Sequence, residues 1–280
     1  QPYINTTKSQ EKMHWRTTTS AIVFLALVFI QQSHKPKNMK IDINGLKKAF
    51  GDKTAVDIPT FTVYDGEILG LVGNNGAGKT TLFRLLLDLI KADDGTVTMT
   101  ISNDDGTQVT INPSESENWK PVTGAYIDEG FLIDFLTPEE YFRFIGKVNG
   151  LTDNETDSRV ASFEHFMNGE VLGQKKLIRN YSAGNKQKIG IISAFINNPQ
   201  LLVLDEPFNF LDPTSQNILM HLIKDYNAKT GATILISSHN LTHTVEISTR
   251  IALLESGLII NALPNTEGSA AKVLEDYFNR

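Results

Sequence analysis

Two short stretches hold the residues that could do chemistry. Gly73 to Thr80 reads Gly-Asn-Asn-Gly-Ala-Gly-Lys-Thr, two glycines with four residues between them, then Lys and Thr. That spacing is a phosphate-loop pattern. Its glycines let Gly73, Asn74, Asn75, Gly76, Ala77 and Gly78 curl so that backbone N–H groups point inward at a polyphosphate, with Thr81 in the first turn of the following helix. Lys79 would reach the outer phosphates as a counter-charge, and the Thr80 hydroxyl would ligate a Mg²⁺ shared with the same oxygens. The substrate is then ATP, or a close nucleoside triphosphate, with Mg²⁺ as the metal. The second stretch, Leu201-Leu202-Val203-Leu204-Asp205-Glu206, ends an apolar run in two carboxylates. Asp205 would hold Mg²⁺, while Glu206, pointing elsewhere, is placed to act as general base on an attacking water. The bland alternatives are a Gly-rich turn between a strand and a helix, and a strand that merely ends in solvent.

Both stretches require particular elements around them. Glu67 to Val72 is a short apolar run suited to a buried strand, and Thr81 to Ile90 carries apolar residues at helical spacing. The run after Asn198-Pro199 is too short for a helix and predicts a buried strand whose C-terminal end delivers Asp205 and Glu206, where open α/β sheets bind ligands. Alternating segments at Ile41–Phe50 and Phe61–Tyr64, then Thr96–Ser102 and Gln108–Ile111 about an Asn103-Asp104-Asp105-Gly106 turn, predict an antiparallel layer. Between them and the second stretch, helical patterns over Tyr141–Val148, Val160–Met167 and Lys186–Ile196 predict a helical insertion, its first helix opening at Pro138 after Thr137. Strands at Thr233–Ser237, Ile251–Leu254 and Leu258–Asn261 alternate with helices at Thr214–Asn227 and Ala270–Phe278, the pattern of a parallel sheet covered by helices.

The bulk properties narrow the function classes. A chain of 280 residues, 40% of them hydrophobic, can bury a large core. A formal charge of −6 offers no basic excess, so nucleic acid is not an expected partner. The absence of cysteine removes disulfides, thiolate metal sites and Cys nucleophiles, leaving oxygen ligands for any metal. Residues 1–38 stand apart. Ala21 to Ile30 is solidly apolar between Arg16 and Lys35, but ten residues fall short of the about 20 a membrane helix needs. The leader reads either as a non-native or poorly ordered extension before a domain opening at Met39, or as a signal-peptide h-region or peripheral anchor.

The order and spacing of these motifs over about 41–262 resemble the ATP-binding subunits of ABC transporters. Gly73–Thr80 matches the Walker A segment and Leu201–Glu206 the Walker B with its catalytic Glu. Tyr181-Ser182-Ala183-Gly184-Asn185 is similar to the family's Leu-Ser-Gly-Gly-Gln signature, Asp212 to the D-loop acid, His239 to the switch histidine, and Phe50 to the aromatic that stacks on adenine. The resemblance implies an α/β fold: a P-loop NTPase core, mainly a parallel sheet with flanking helices, plus an antiparallel β layer and a helical subdomain at about 128–197. The cassette would span 39–262, with 263–280 a C-terminal helix. On the residues alone, Ser182 could be an ordinary N-cap, His239 a strand-end polar residue, and Phe50 a core aromatic. In the resemblance, Ser182, Ala183, Gly184 and Asn185 face the γ-phosphate of a second copy's ATP, so the chain would pair head-to-tail.

Phe50, Tyr181, Ala183 and Asn185 depart from the family's commoner Tyr, Leu, Gly and Gln. Asp128, with Glu129 as its rival, takes the place of the Q-loop glutamine and would face Mg²⁺ or the attacking water. This acidic variant looks most like the branch of multidrug, lantibiotic and bacitracin-type exporters. The implied function is ATP hydrolysis that drives a separate membrane permease from the cytoplasmic face of the membrane, exporting a drug, peptide or lipid-like substrate. No apolar run approaches 18 residues, so the pore would belong to another polypeptide. The competing readings are a non-transport ABC-type ATPase acting on a macromolecular partner, and a regulatory module that senses ATP without turnover.

Overall fold

The computed structural model describes residues 39–102, 106–239 and 241–278. The leader 1–38 with its apolar run, and Asn103, Asp104 and Asp105 of the expected turn, lie outside the described residues. An antiparallel sheet is built from β1 (Met39–Phe50), β2 (Lys53–Val63), β4 (Asp94–Ser102) and β5 (Gln108–Ile111), in the order β2-β1-β4-β5. The sequence placed the second strand at Phe61, but it begins at Lys53. Pro59 obscured it, and a proline is admissible because β2 is an edge strand with one unpaired side.

The second sheet runs β10-β9-β3-β8-β7-β6. Its parallel core comprises β3 (Ile68–Val72), β6 (Thr123–Tyr126), β7 (Leu201–Leu204), β8 (Thr233–Ser238) and β9 (Arg250–Glu255), with β10 (Leu258–Pro264) antiparallel at the edge. Every residue of β3, β7 and β8 is buried, as expected for strands covered on both faces. The period of two divides them cleanly. Leu69, Leu71, Leu201, Val203 and Leu235 join the antiparallel layer and α1 (Lys79–Leu86) in one core. Ile68, Leu202, Leu204, Ile234 and Ile236 face a second core with α5 (Ala183–Phe195) and α6 (Pro213–Thr230).

The helical insertion consists of α2 (Pro138–Val148), α3 (Asp153–Ala161), α4 (Glu164–Met167) and α5. Reciprocal capping boxes start α2 (Thr137 with Glu140) and α3 (Thr152 with Glu155). The helix expected over Val160–Met167 is instead the end of α3 and the single turn of α4. A short α7 (Leu241–Ile247) and the strand β6 carried no usable pattern in the sequence. Strand β10 runs two residues past the boundary placed at 262, and α8 (Ala271–Phe278) packs Leu274 against Ile251 and Leu253 of β9. Among the described residues, no helix is long and apolar enough to cross a membrane.

Strand β6 and helix α5 approach so closely that a Cβ on Gly124 would sit 1.8 Å from the backbone oxygen of Ala194. Gly124→Ala therefore forces the strand and helix apart. Overpacking of this kind lowers the thermal midpoint by roughly 3–10 °C for a domain of this size. Circular-dichroism melting checks this, and an unchanged midpoint would contradict the tight packing.

Candidate functional site

The loop after β3 leads directly into α1, whose N-cap, Gly78, has φ 112° and no side-chain cap. A side chain at Gly78 would meet the Ala55 oxygen of β2 at 2.2 Å, so the antiparallel layer presses against the loop. The first N–H groups of α1 are left to an outside acceptor, the arrangement an anion needs. Lys79 is 7% exposed; its Nζ donates to the Gly73 oxygen at 2.7 Å and lies 3.4 Å from Glu206 Oε1. Asn74, Asn75 and Gly76 are exposed at the mouth. The stretch from Asn75 to Thr81 lines one cavity together with Phe50, Lys53 and Glu206. Phe50 is 55% exposed at the end of β1, which excludes the core-aromatic alternative; its ring stands at the cavity wall with Lys48 Nζ 5.6 Å from its centroid.

The parallel register pairs Leu204 with Ile236, so the next residues, Asp205 and Ser237, meet at the C-terminal edge of the sheet. Asp205 is 4% exposed and accepts from Ser237 Oγ and, at 2.5 Å, from Thr80 Oγ1. Burial raises its pKa, partly offset by those two hydrogen bonds. Glu206 has φ 46°, in the left-handed region that side chains other than Gly seldom occupy. Ser237 Oγ accepts from its backbone N–H at 2.9 Å, and His239 Nδ1 lies 2.7 Å from its Oε2. Loop, paired acids and histidine, 166 residues apart in sequence, thus converge on one point. Among the described residues no three His, Cys, Asp or Glu side chains gather as a metal cage. Mg²⁺ requires none, being held by one or two carboxylates beside substrate phosphates and water. The touching Thr80 hydroxyl and Asp205 carboxylate are a donor set of that chemistry.

A second cavity adjoins the first at Thr80 and Glu206, and its lining includes Asp128, Glu129, Ala183 and Asp205. The Asp128 carboxylate is occupied: it pairs with Arg84 of α1 at 2.9 Å and accepts from the Gly130 N–H at 2.8 Å. Glu129 lies 3.4 Å from Lys186. Ser182 caps α5 by accepting from the Asn185 N–H at 3.3 Å. Of the signature segment, Ala183 lines the second cavity with Thr80, while Ser182, Gly184 and Asn185 line neither cavity. Asp212 lines neither cavity. It caps α6 through Ser215, whose hydrogen bonds hold its carboxyl below the ordinary range. The structure adds residues that the sequence reading did not single out: Ser237, which bridges Asp205 and Glu206, and Tyr126, Gln187 and Phe210. A serine two residues ahead of His239 on a buried strand was the one available signal.

Comparison with known proteins follows the same lines. The family model described as ABC transporter matches residues 56–209. The linearmycin resistance ATP-binding protein LnrL of Bacillus subtilis is 33% identical over 220 residues, 79% of this chain and 68% of the relative. The Nod factor export ATP-binding protein I of Bradyrhizobium diazoefficiens is 32% identical over 240 residues, 86% of this chain and 74% of the relative. Among solved structures, the cassette MJ0796 in a dimeric post-hydrolysis state bound to ADP and Pi superposes with a TM-score of 0.68. It is 20% identical, covering 81% of this chain and 99% of that one, and so speaks for the fold.

Phe210, at φ 60°, is a second left-handed residue four positions after Glu206, and its side chain is 73% exposed. Its carbonyl sits where a Cβ on Gly184 would approach to 2.6 Å, which fixes the backbone but gives the ring little burial in return. Replacing it by glycine removes a left-handed strain of about 1–2 kcal/mol. Phe210→Gly should therefore raise the thermal midpoint by roughly 2–5 °C, and calorimetry that found a lower midpoint would refute the strain.

Proposed function

The chain belongs to the ABC transporter family, and from that premise we propose that its ATPase site works through Glu206 as general base, with Lys79, Thr80, Asp205 and His239 around it. The family makes it an ATP hydrolase. The observation that carries the residue roles is the clamping of Glu206: its backbone N–H on Ser237, one carboxylate oxygen near Lys79 and the other on His239. The phosphate loop and the amino end of α1 bind the triphosphate, and Phe50 stacks on the base. Mg²⁺, held by Thr80 and Asp205, would screen the charge that develops on the transferring phosphoryl group. Glu206 takes the proton of a water that attacks the γ-phosphorus. The bond to the bridging oxygen breaks, and ADP and phosphate leave. His239 orients the Glu206 carboxylate toward that water and can contact the γ-phosphate.

Two copies would close head-to-tail, since Ser182, Gly184 and Asn185 line neither cavity of their own chain's site while heading an N-capped helix suited to an anion. Asp212, as cap of α6, would steady that interface rather than touch nucleotide. Asp128, tied to Arg84, would influence Mg²⁺ or the water only after leaving that pair. The ATPase would power a separate permease and sit on the cytoplasmic face of the membrane through it. Export is the direction we favour, supported by relatives whose names speak of Nod factor export and linearmycin resistance.

Glu206→Gln should lower phosphate release by about 10²- to 10⁴-fold while ATP affinity stays within a few-fold, and should trap an ATP-bound dimer visible by light scattering. Near-normal hydrolysis would overturn the assignment. Lys79→Ala removes a charge-assisted contact to phosphate and should weaken ATP binding by roughly 10- to 100-fold in titration calorimetry. Unchanged affinity would count against the loop.

A further inference from the structure

We infer that Tyr126 and Gln187 are positioning residues for hydrolysis: a buried relay that holds the Glu206 peptide in its left-handed conformation and ties it to the helical subdomain. This rests on Glu206 being the base. Tyr126 is the last residue of β6, and Gln187 lies in the second turn of α5. The Tyr126 hydroxyl lies 2.7 Å from Gln187 Oε1, and Gln187 Nε2 lies 3.1 Å from the Glu206 carbonyl oxygen. Directions follow from chemistry. A carbonyl can only accept, so the amide must present its NH₂ to Glu206 and its oxygen to Tyr126, which must donate. Burial pushes the Tyr126 phenol well above its ordinary pKa, so it remains a neutral donor.

Both side chains are almost wholly buried, at 6% and 4% exposure; they line the second cavity beside Glu206 and not the cavity of the stretch Asn75–Thr81. Polar groups so placed are costly unless every partner is in place, which makes this chain of hydrogen bonds directional and stiff. At the other end of the residue, Ser237 Oγ accepts from the Glu206 N–H at 2.9 Å. The carbonyl takes a further bond from the Asn209 N–H at 3.2 Å. Glu206 is therefore gripped on its N–H by β8 and on its carbonyl by α5, and a φ of 46° survives only where its surroundings over-determine it. Gly190, one turn beyond Gln187, makes room for the ring: a Cβ there would stand 2.1 Å from Tyr126 Cε2. Any shift of α5 along β6 thus alters the Gln187 amide and, through it, the peptide that aims the Glu206 carboxylate.

Tyr126→Phe deletes one oxygen atom, and Gln187→Met keeps the shape without hydrogen bonds. In steady-state phosphate release by the full chain, Tyr126→Phe should lower kcat about three- to tenfold, the scale of one hydrogen bond. Gln187→Met should lower it further, with KM for ATP within about twofold in both. The double variant should be no slower than Gln187→Met alone, since either break opens the same relay. Wild-type kcat in folded Tyr126→Phe, or simply multiplying losses in the double variant, would overturn the relay. Glu206→Gln, assayed alongside, reports separately on the base: if it is dead while Tyr126→Phe runs at the wild-type rate, the relay fails and the base stands. Should Gln187→Met melt early, Tyr126→Phe still decides.

Discussion

A buried ammonium inside a loop of backbone is the constraint around which the site is arranged. Lys79 is nearly inaccessible, and an isolated cation in such a place is unaffordable. The loop answers with the carbonyl of Gly73, and β7 with the carboxylate of Glu206. Bringing the acid there requires β7 to lie near β3 in the parallel order, with β8 between them to supply Ser237 and His239. The same geometry that satisfies one lysine therefore gathers the glycine-rich loop, the Thr80–Asp205 pair and the Glu206 carboxylate.

Glu206 itself is held against its backbone preference. Strain in a residue of this kind persists when contacts on several sides forbid relaxation, and for Glu206 those contacts come from three different elements. Ser237 arrives on β8, Gln187 on α5, and the turn after β7 folds back through Asn209. Phe210, also left-handed, closes that turn against the first helical turn of α5. Glu206 and the segment from Ser182 to Asn185 thus share a mechanical frame, with Ala183 lining a cavity beside Thr80.

Two layers divide the labour. The antiparallel sheet, pressing Ala55 onto Gly78, shapes the loop and carries Phe50 to its mouth. The helical segment faces the opposite side of the parallel sheet and touches the site through Asp128 and Gln187, the latter bonded to Tyr126 of β6. Asp128 spans the two, since its partner Arg84 belongs to the helix that begins at the phosphate loop.

The sequence by itself determined the parts that depend on local pattern. The glycine spacing and its Lys-Thr, the apolar run ending in Asp205-Glu206, the helix start at Pro138 after Thr137, and the alternation of strands and helices were all legible because each is written within a few adjacent residues. Strand β6 was not: Thr-Gly-Ala-Tyr has no apolar run and is a strand only because β7 and α5 lie against it. The early half of β2, hidden by Pro59, was likewise decided by its place at the edge. Only the tertiary structure settled that Phe50 stands in solvent, that Asp212 caps a helix, that Asp128 is engaged by Arg84, and that Ser237 and Gln187 grip Glu206. The physical reason is one of range: hydrogen bonds and burial between residues tens to more than a hundred positions apart are set by strand register and sheet order, which no short stretch of chain records.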